Sequence, residues 1–281
     1  PISLHLVMSR TPIWVYIINM AGGLALCLTS CSSPQVEPVS KAIIPVPLEV
    51  HWIEDADQPA VWRGAWNWTI DGEWSHVAQH WKSWLPGTEE DNGMSVVLSR
   101  VEGFPKEGYE LELDASGVII RASHEAGAFH ALTTLRWMLP ANADHSGPWS
   151  MAPVSIADAP RFEHRGLLLD CCRHFMEPEY VKRTIDLLAL HKMNVLHWHL
   201  TEDQGWRIQI DAYPELTSTG AWRTEDDGSI HGGFYTKDQI REIVAYASER
   251  NVVIIPEIEL PGHSRAAIAA YPWLSCTGDA L

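Results

Sequence analysis

The sequence predicts an α/β fold, namely an incomplete (β/α)8 TIM barrel preceded by a small α+β domain. Residues 161–281 alternate short apolar runs, typical of parallel strands buried on both faces, with amphipathic stretches typical of helices. Polar residues stand at the C-terminal ends of these runs, where barrel enzymes carry their functional groups. Residues 48–160 instead combine alternating strand patterns with a helical stretch, which favours an α+β domain.

In the first domain, a β-hairpin is predicted to precede a helix. Residues 109–113 alternate between polar and apolar, Gly117 marks a turn, and residues 118–121 resume as a strand. Ser123 is expected to cap the helix that follows, and Pro140 to stop it.

In the second domain, three strands are predicted at residues 166–170, 195–200 and 252–259. Pro178 suits the first turn of a helix between the first two strands, and Asn194 is expected to close that helix. These units fit parallel strands joined by helical crossovers.

A second helix is predicted before the third strand. Thr236 and Gln239 form a capping box at its start, and Asn251 is expected to end it. Three β/α units fill about half of the roughly 250 residues that a barrel takes, so the barrel is predicted to be truncated. A doubly wound sheet is the competing fold, but no G-x-G-x-x-G pattern follows a strand to support a nucleotide site.

Composition excludes some classes of function. Lys and Arg number 20 against 36 Asp and Glu, for a net charge of −16, so the attraction to a phosphate backbone that nucleic-acid binders use is missing. Trp occurs 14 times. Its wide amphipathic ring either fills a core or stacks on a sugar, and the core role is the more common.

The N-terminal residues predict export and lipid anchoring. An apolar run over residues 12–28 ends in Leu-Thr-Ser-Cys, which resembles a bacterial lipoprotein cleavage box with Cys31 as the lipidated residue. We therefore assign residues 1–31 to a signal peptide and residues 32–47 to a linker, and expect an exported protein held on the periplasmic side of a membrane. A plain signal peptide or an anchor helix is the alternative. Cys171 and Cys172 are adjacent and imply no disulfide framework.

Three stretches carry a family resemblance. Residues 165–170 with Arg173-His174-Phe175, then residues 194–207, and finally residues 255–264 together resemble the β-N-acetylhexosaminidases of glycoside hydrolase family 20. Each stretch alone is a weak signal, but three in order with fitting gaps are specific. The resemblance covers about residues 100–281.

The resemblance implies an exo-acting enzyme that removes terminal β-linked N-acetylglucosamine or N-acetylgalactosamine, with no metal or cofactor. The acetamido oxygen of the substrate attacks the anomeric carbon, so the enzyme supplies no nucleophile. Arg173 matches an arginine that hydrogen-bonds sugar hydroxyls, although a structural pair with Asp170 is the plainer interpretation. His263 and Glu202 match a pair that supports the catalytic acid, and the family often has Asp at the position of Glu202.

The acid itself has no match in the 281 residues. The family carries an adjacent Asp-Glu pair after His-x-Gly-Gly, but His231-Gly232-Gly233 is followed by Phe234 and Tyr235. Asp226 and Asp227 precede Gly228 and are expected to form a solvated turn. We therefore expect the fragment to be inactive, and we assign none of its tryptophans, including Trp198, Trp206 and Trp222, to the sugar-binding floor.

Two other functions remain open on the residues alone. His197 and His199 face the same side of a strand, and with His263 they could bind zinc in a metal-dependent hydrolase. A glycan-binding lipoprotein without catalysis is the other alternative, since no acid is found.

Overall fold

The computed structural model describes residues 37–38, 42–54, 58–139 and 148–279, and these form one compact unit. The predicted signal peptide, Cys31 and Pro140 lie outside the described residues. In the described part of the chain, every helix is too short or too polar to cross a membrane.

The first half is an α+β layer. Its strands are β1 (Glu37–Pro38), β2 (Glu49–Trp52), β3 (Ala60–Trp62), β4 (Ala65–Ile70), β5 (Thr88–Glu89), β6 (Met94–Arg100), β7 (Tyr109–Asp114), β8 (Gly117–Ala122), β9 (Trp149–Met151) and β10 (Val154–Asp158). Its helices are α1 (Ala78–Trp84), α2 (Glu125–Met138) and a 3-10 turn at Gly72–Trp74. The main sheet has the order β2-β10-β7-β8-β6-β4-β5, and α2 packs on β7 and β8.

The second half follows the β/α pattern. Its strands are β11 (Gly166–Asp170), β12 (Val195–His199), β13 (Thr201–Glu202), β14 (Gly205–Trp206), β15 (Trp222–Thr224), β16 (Ile230–Gly232) and β17 (Val253–Glu257). Its helices are α3 (Pro178–Leu190), α4 (Glu215–Ser218), α5 (Lys237–Ser248), α6 (Arg265–Ala270) and a 3-10 turn at Pro272–Leu274. Strands β11, β12 and β17 form a parallel sheet in that order.

Several local predictions are confirmed. The hairpin is formed by β7 and β8, which pair antiparallel, and β11 has the predicted bounds. Pro178 occupies the first turn of α3. Thr236 and Gln239 form both hydrogen bonds of the capping box of α5.

Two of the predicted helix boundaries are wrong. Ser123 does not cap α2, because its hydroxyl donates to the Val101 carbonyl and accepts the Phe104 amide. Helix α3 ends at Leu190, and Asn194 instead accepts the Arg165 amide with its side chain. The chain reverses after α3 at Lys192, which adopts the left-handed conformation with φ of 55°. Helix α5 runs to Ser248, and Asn251 ends it as predicted, because Asn251 has a φ of 57° and the Val252 amide donates back to the Ala247 carbonyl at 2.9 Å.

The predicted linker is in part folded. The backbone of Glu37–Pro38 pairs with β9, and Ile43 is buried. These residues therefore belong to the compact unit.

The two halves share one apolar core with buried polar links. Lys192 Nζ lies 2.7 Å from Asp158 Oδ2 and donates to the Tyr109 hydroxyl at 2.8 Å. The Trp137 indole donates to the Leu190 carbonyl at 2.7 Å. Burial lowers the pKa of Lys192 and raises that of Tyr109, so both groups depend on these partners.

Most tryptophans of the described residues are buried in the protein interior. The fully or almost fully buried ones are Trp62, Trp66, Trp74, Trp81, Trp84, Trp198 and Trp206. Five of these seven lie in the α+β half, where they fill its apolar core.

The parallel sheet has apolar side chains that contact solvent in the described structure. Strand β17 pairs with β12 on one side, and no other strand among the described residues pairs with its second edge. Leu168, Val253 and Ile255 are 51%, 62% and 44% exposed. A sheet with such faces and edges is prone to association through its strands.

Candidate active site

Polar residues end all three parallel strands at the same level. Asp170, His199 and Glu257 are the last residues of β11, β12 and β17, and the register pairs Asp170 with His199 and His199 with Glu257. Because residues paired in a sheet point to the same face, these side chains form a row at its C-terminal edge. This row is the base of the candidate site.

Arg173 lies just beyond this row, in the loop of residues 171–177 that we name the Arg173 loop. Its Nη1 atom donates to Asp170 Oδ2 at 2.7 Å, and its Nη2 atom lies 3.1 Å from Glu202 Oε1. The side chain is 45% exposed. Both the structural pair with Asp170 and an accessible guanidinium are therefore present together.

Asp170 is held ionised by what surrounds it. Partial burial raises the pKa of Asp170, but the Arg173 guanidinium and the amides of Cys172 and Arg173 outweigh burial, and the net shift is downward. The Asp170 carboxylate thus binds both the backbone of the Arg173 loop and the Arg173 side chain.

Glu202 is a buried carboxylate among basic groups. Its side chain is 3% exposed, and Oε1 lies 2.6 Å from His263 Nδ1. Its Oε2 atom lies 3.5 Å from His199 Nε2. Since a buried charge is costly unless it is paired, these contacts together with Arg173 explain how the carboxylate is accommodated.

His263 reaches Glu202 through an uncommon backbone conformation. Its φ is 52°, in the left-handed region that few non-glycine residues adopt. Its Nε2 atom lies 3.7 Å from Glu259 Oε2, and half of the side chain is exposed. The Glu259 amide donates to the Thr201 hydroxyl at 2.8 Å, which ties this segment to β13.

The two histidines of β12 share a carboxylate that the sequence analysis did not single out. Glu257 Oε2 lies 2.6 Å from His199 Nδ1 and 2.8 Å from His197 Nε2. Burial raises the pKa of Glu257, but the contacts with His199, Glu259 and His197 together outweigh burial, and the net shift is downward. The signal available in the sequence was the position of Glu257 at the end of a predicted strand.

This arrangement separates the histidines that a zinc site would need. His263 groups with Glu202 and Asp203, whereas His199 groups either with Glu257 and Glu259 or with Asp170 and Cys172. None of these groups of the described residues unites His197, His199 and His263. The geometry gives the proposed zinc site no support.

The segment with the partial acid motif is a hairpin formed by β15 and β16. The Asp227 side chain accepts the Ser229 amide at 2.9 Å and Gly228 has a φ of 82°, as expected for a turn. His231 contacts the Arg173 loop, because its Nε2 atom accepts the Phe175 amide at 3.1 Å. Burial, followed by the charges of Arg223 and Arg207, lowers the pKa of His231, which favours the neutral ring that can accept this bond.

Cys171 and Cys172 are free, buried thiols, in agreement with the absence of a predicted disulfide. The Cys172 thiol donates to the His199 carbonyl at 3.0 Å. Burial raises the pKa of both thiols, so neither is a reactive thiolate near neutral pH.

Family models match most of the folded chain. The model of the catalytic domain of glycosyl hydrolase family 20 matches residues 162–280, and the model of domain 2 of the same family matches residues 76–159. The chain belongs to glycoside hydrolase family 20. The order of the two family 20 domains agrees with the observed α+β layer followed by the β/α part.

Named relatives agree with this assignment. A β-hexosaminidase of Porphyromonas gingivalis is 47% identical over 194 residues, which cover 67% of this chain and 25% of the relative. A β-hexosaminidase of Vibrio furnissii is 44% identical, over 69% of this chain and 33% of the relative. The chain therefore spans about a quarter to a third of these two family 20 proteins.

Solved family 20 structures share the fold. The β-N-acetylhexosaminidase of Streptomyces coelicolor aligns with a TM-score of 0.75 and 38% identity, over 85% of this chain and 50% of that one. The exo-β-N-acetylglucosaminidase of Vibrio harveyi, in complex with N-acetylglucosamine, aligns with a TM-score of 0.74 and 32% identity, over 85% of this chain and 39% of that one. These family 20 neighbours imply a TIM-barrel-like α/β fold with a preceding domain.

Proposed function

We propose that the full protein is an exo-β-N-acetylhexosaminidase that removes terminal, non-reducing N-acetylglucosamine or N-acetylgalactosamine by substrate-assisted, retaining catalysis. The observation that carries the proposal is the convergence of Arg173, Glu202 and His263 at the C-terminal edge of the parallel sheet in a family 20 chain. The names of the relatives support the same substrate class.

Arg173 is suited to holding sugar hydroxyls. A guanidinium has five N–H donors, and here one points to Asp170 and one lies near Glu202. The remaining donors are on an exposed, rigid fork, which matches neighbouring hydroxyls. Holding the sugar in one orientation lowers the entropic cost of the intramolecular attack by its acetamide.

Glu202 and His263 are suited to supporting an acid from outside the described residues. His263 contacts Glu202 through Nδ1, while Nε2 faces Glu259, and half of the side chain is exposed to solvent. A carboxylate that contacts one nitrogen of an imidazole fixes the orientation of the ring. We propose that this pair orients and polarises the group that protonates the leaving oxygen.

The 281 residues contain no His-x-Gly-Gly-Asp-Glu sequence, and we propose that they are inactive on their own. Without a general acid the leaving oxygen departs unprotonated, at a cost of roughly 10²–10⁴ in rate. A fragment of residues 32–281 is expected to show no turnover and to aggregate through the exposed apolar residues of β17, whereas the full-length protein is expected to be soluble and active. Measurable turnover by the fragment would show that a carboxylate such as Asp203 or Glu259 supplies the acid.

The reaction is tested with chromogenic glycosides and the full-length protein. We expect hydrolysis of p-nitrophenyl N-acetyl-β-glucosaminide with a β-configured first product, observed by proton NMR. The matched β-glucoside has a hydroxyl in place of the acetamide and should react at least about a thousandfold more slowly, because the internal nucleophile is missing. Equal rates for the two substrates would exclude the substrate-assisted route.

We also propose that the protein is exported and anchored through lipidated Cys31. The support is the sequence pattern of residues 12–31, which lies outside the described residues. A lipoprotein terminus carries more than one acyl chain, as stable anchoring requires.

A further inference from the structure

We propose that Arg207 is a positioning residue that fixes the backbone of the Arg173 loop and thereby the direction in which Arg173 meets the substrate. The role in substrate binding rests on the proposed function. Arg207 follows β14 and is completely buried, so it cannot itself touch a substrate.

The guanidinium of Arg207 connects two segments through backbone carbonyls. On one side, Nε donates to the Cys171 carbonyl at 3.1 Å and Nη2 to the Cys172 carbonyl at 2.6 Å. On the other side, Nη1 donates to the carbonyls of Ala221 at 2.5 Å and Gly233 at 3.0 Å. The planar fork thus holds the Arg173 loop against the connections that flank the β15-β16 hairpin.

Two consecutive peptide units of the loop are held at both ends. The carbonyls of Cys171 and Cys172 accept from Arg207, while the amides of Cys172 and Arg173 donate to Asp170 Oδ1 at 2.8 and 3.1 Å. A peptide unit whose carbonyl and amide are both bonded to fixed groups cannot rotate without breaking one of them. The Cα atom of Arg173 follows directly from the second of these units.

The Arg207 site is built for a guanidinium. No carboxylate lies within ion-pairing distance of it in the described part of the chain, and burial lowers the pKa of Arg207. Carbonyl dipoles therefore supply the compensation for its charge. A Cβ atom at Gly205 would lie 2.3 Å from Arg207 Cζ, so any larger residue there would displace the guanidinium from its present position. Such specific accommodation of a costly buried cation points to a positional role rather than to general packing.

The experiment compares Arg207→Lys with Arg223→Lys in the full-length protein. Lysine keeps the charge but has a single ammonium, which cannot reach carbonyls on both sides. We expect the KM for p-nitrophenyl N-acetyl-β-glucosaminide to rise about tenfold, with kcat changed less than about threefold. The reason is that a misaligned Arg173 binds the bound substrate and the transition state more weakly by the same amount. Arg223 is the control because it lies in the β15-β16 hairpin, beside the carbonyls that Arg207 binds, but contacts Gln204 and Glu225 instead. Arg223→Lys should therefore leave KM and kcat unchanged.

A double variant separates positioning from general stability. If Arg207 acts through Arg173, adding Arg207→Lys to Arg173→Lys should change kcat/KM less than about twofold further. Additive losses would overturn the proposal.

Amide hydrogen exchange provides a measure that does not depend on activity. In the parent the amides of Cys172 and Arg173 should exchange as slowly as those of β12, and in Arg207→Lys at least about tenfold faster. Fast exchange in the parent would overturn the proposal even if the variant failed to fold, and so would unchanged exchange in a folded variant. If the parent hydrolysed no N-acetylhexosaminide, the proposed function would fail while the exchange result would still decide the role of Arg207 in holding the loop.

Discussion

The Nδ1 atom of His263 lies 2.6 Å from the Oε1 atom of Glu202, although the two residues follow different strands of the parallel sheet. The contact pairs a half-exposed ring with a carboxylate that is 3% exposed. A buried carboxylate in contact with an accessible imidazole can fix the orientation of that imidazole. This relationship, together with Arg173 on the same Glu202 oxygen, defines the part of the active site that these residues supply.

Arg173→Lys in the full-length protein should lower kcat/KM for p-nitrophenyl N-acetyl-β-glucosaminide by roughly tenfold to a hundredfold. Each lost charged hydrogen bond to a hydroxyl costs about 1.5–3 kcal/mol in transition-state binding. Arg161→Lys is the matched control, because Arg161 contacts the Phe162 ring away from the site. A parental rate for Arg173→Lys would show that Arg173 serves only its pair with Asp170.

Glu202→Gln should lower kcat/KM by roughly tenfold to a hundredfold, since it keeps the shape of the side chain but removes the charge that faces His263 and Arg173. Glu202→Asp should cost less, because the charge remains. The comparison is made by steady-state kinetics, with thermal melting to confirm the fold. Glu225→Gln, at an exposed partner of Arg223, is the control. Equal activities of Glu202→Gln and the parent would contradict the supporting role.

The free energy of unfolding should fall as the pH is lowered from about 6.5 to about 4, in part because of His130. Burial lowers the pKa of His130 to about 4, from an ordinary value of 6.5. Between these two pH values His130 is protonated in the unfolded chain but neutral in the folded one. Its contribution to the free energy of unfolding is therefore complete above pH 6.5 and is lost as the pH falls from 6.5 to about 4. The loss from this group is at most about 3 kcal/mol.

Urea unfolding of the parent and of His130→Gln across this window measures the contribution of His130. The variant cannot titrate at this position, so its stability should depend on pH less steeply, by up to about 1.4 kcal/mol per pH unit. His51→Gln is the control, because its ring is exposed. The same slope in His130→Gln and in the parent would contradict the assignment.

Cys31→Ala should move the protein from the membrane fraction to the soluble fraction of the producing cells, because the residue that would carry the acyl chains is missing. Cys27→Ala, four positions earlier, should remain in the membrane fraction. Fractionation and labelling with a radioactive fatty acid measure both. If Cys31→Ala still partitioned like the parent, the anchor would have to be the apolar run itself.

Local signals predicted many elements well. The bounds of β11, the first turn of α3 and the capping box of α5 depend on neighbours within a few residues, and the structure has each of them as predicted. The end of α3 was misjudged because the chain reverses at Lys192 in the left-handed conformation, which lysine seldom adopts, whereas α5 ends at Asn251, a residue type that adopts this conformation more readily.

By itself, the sequence determined the α/β class, the order of the strands along the chain, and the motif residues Arg173, Glu202 and His263. Only the tertiary structure decided that Glu257 serves both histidines of β12 and that Arg207 holds the Arg173 loop. Both contacts join segments far apart in the chain and depend on sheet register and on burial. The hydrophobic pattern determines which residues are buried, whereas the distance between two buried polar groups is set by how whole elements pack.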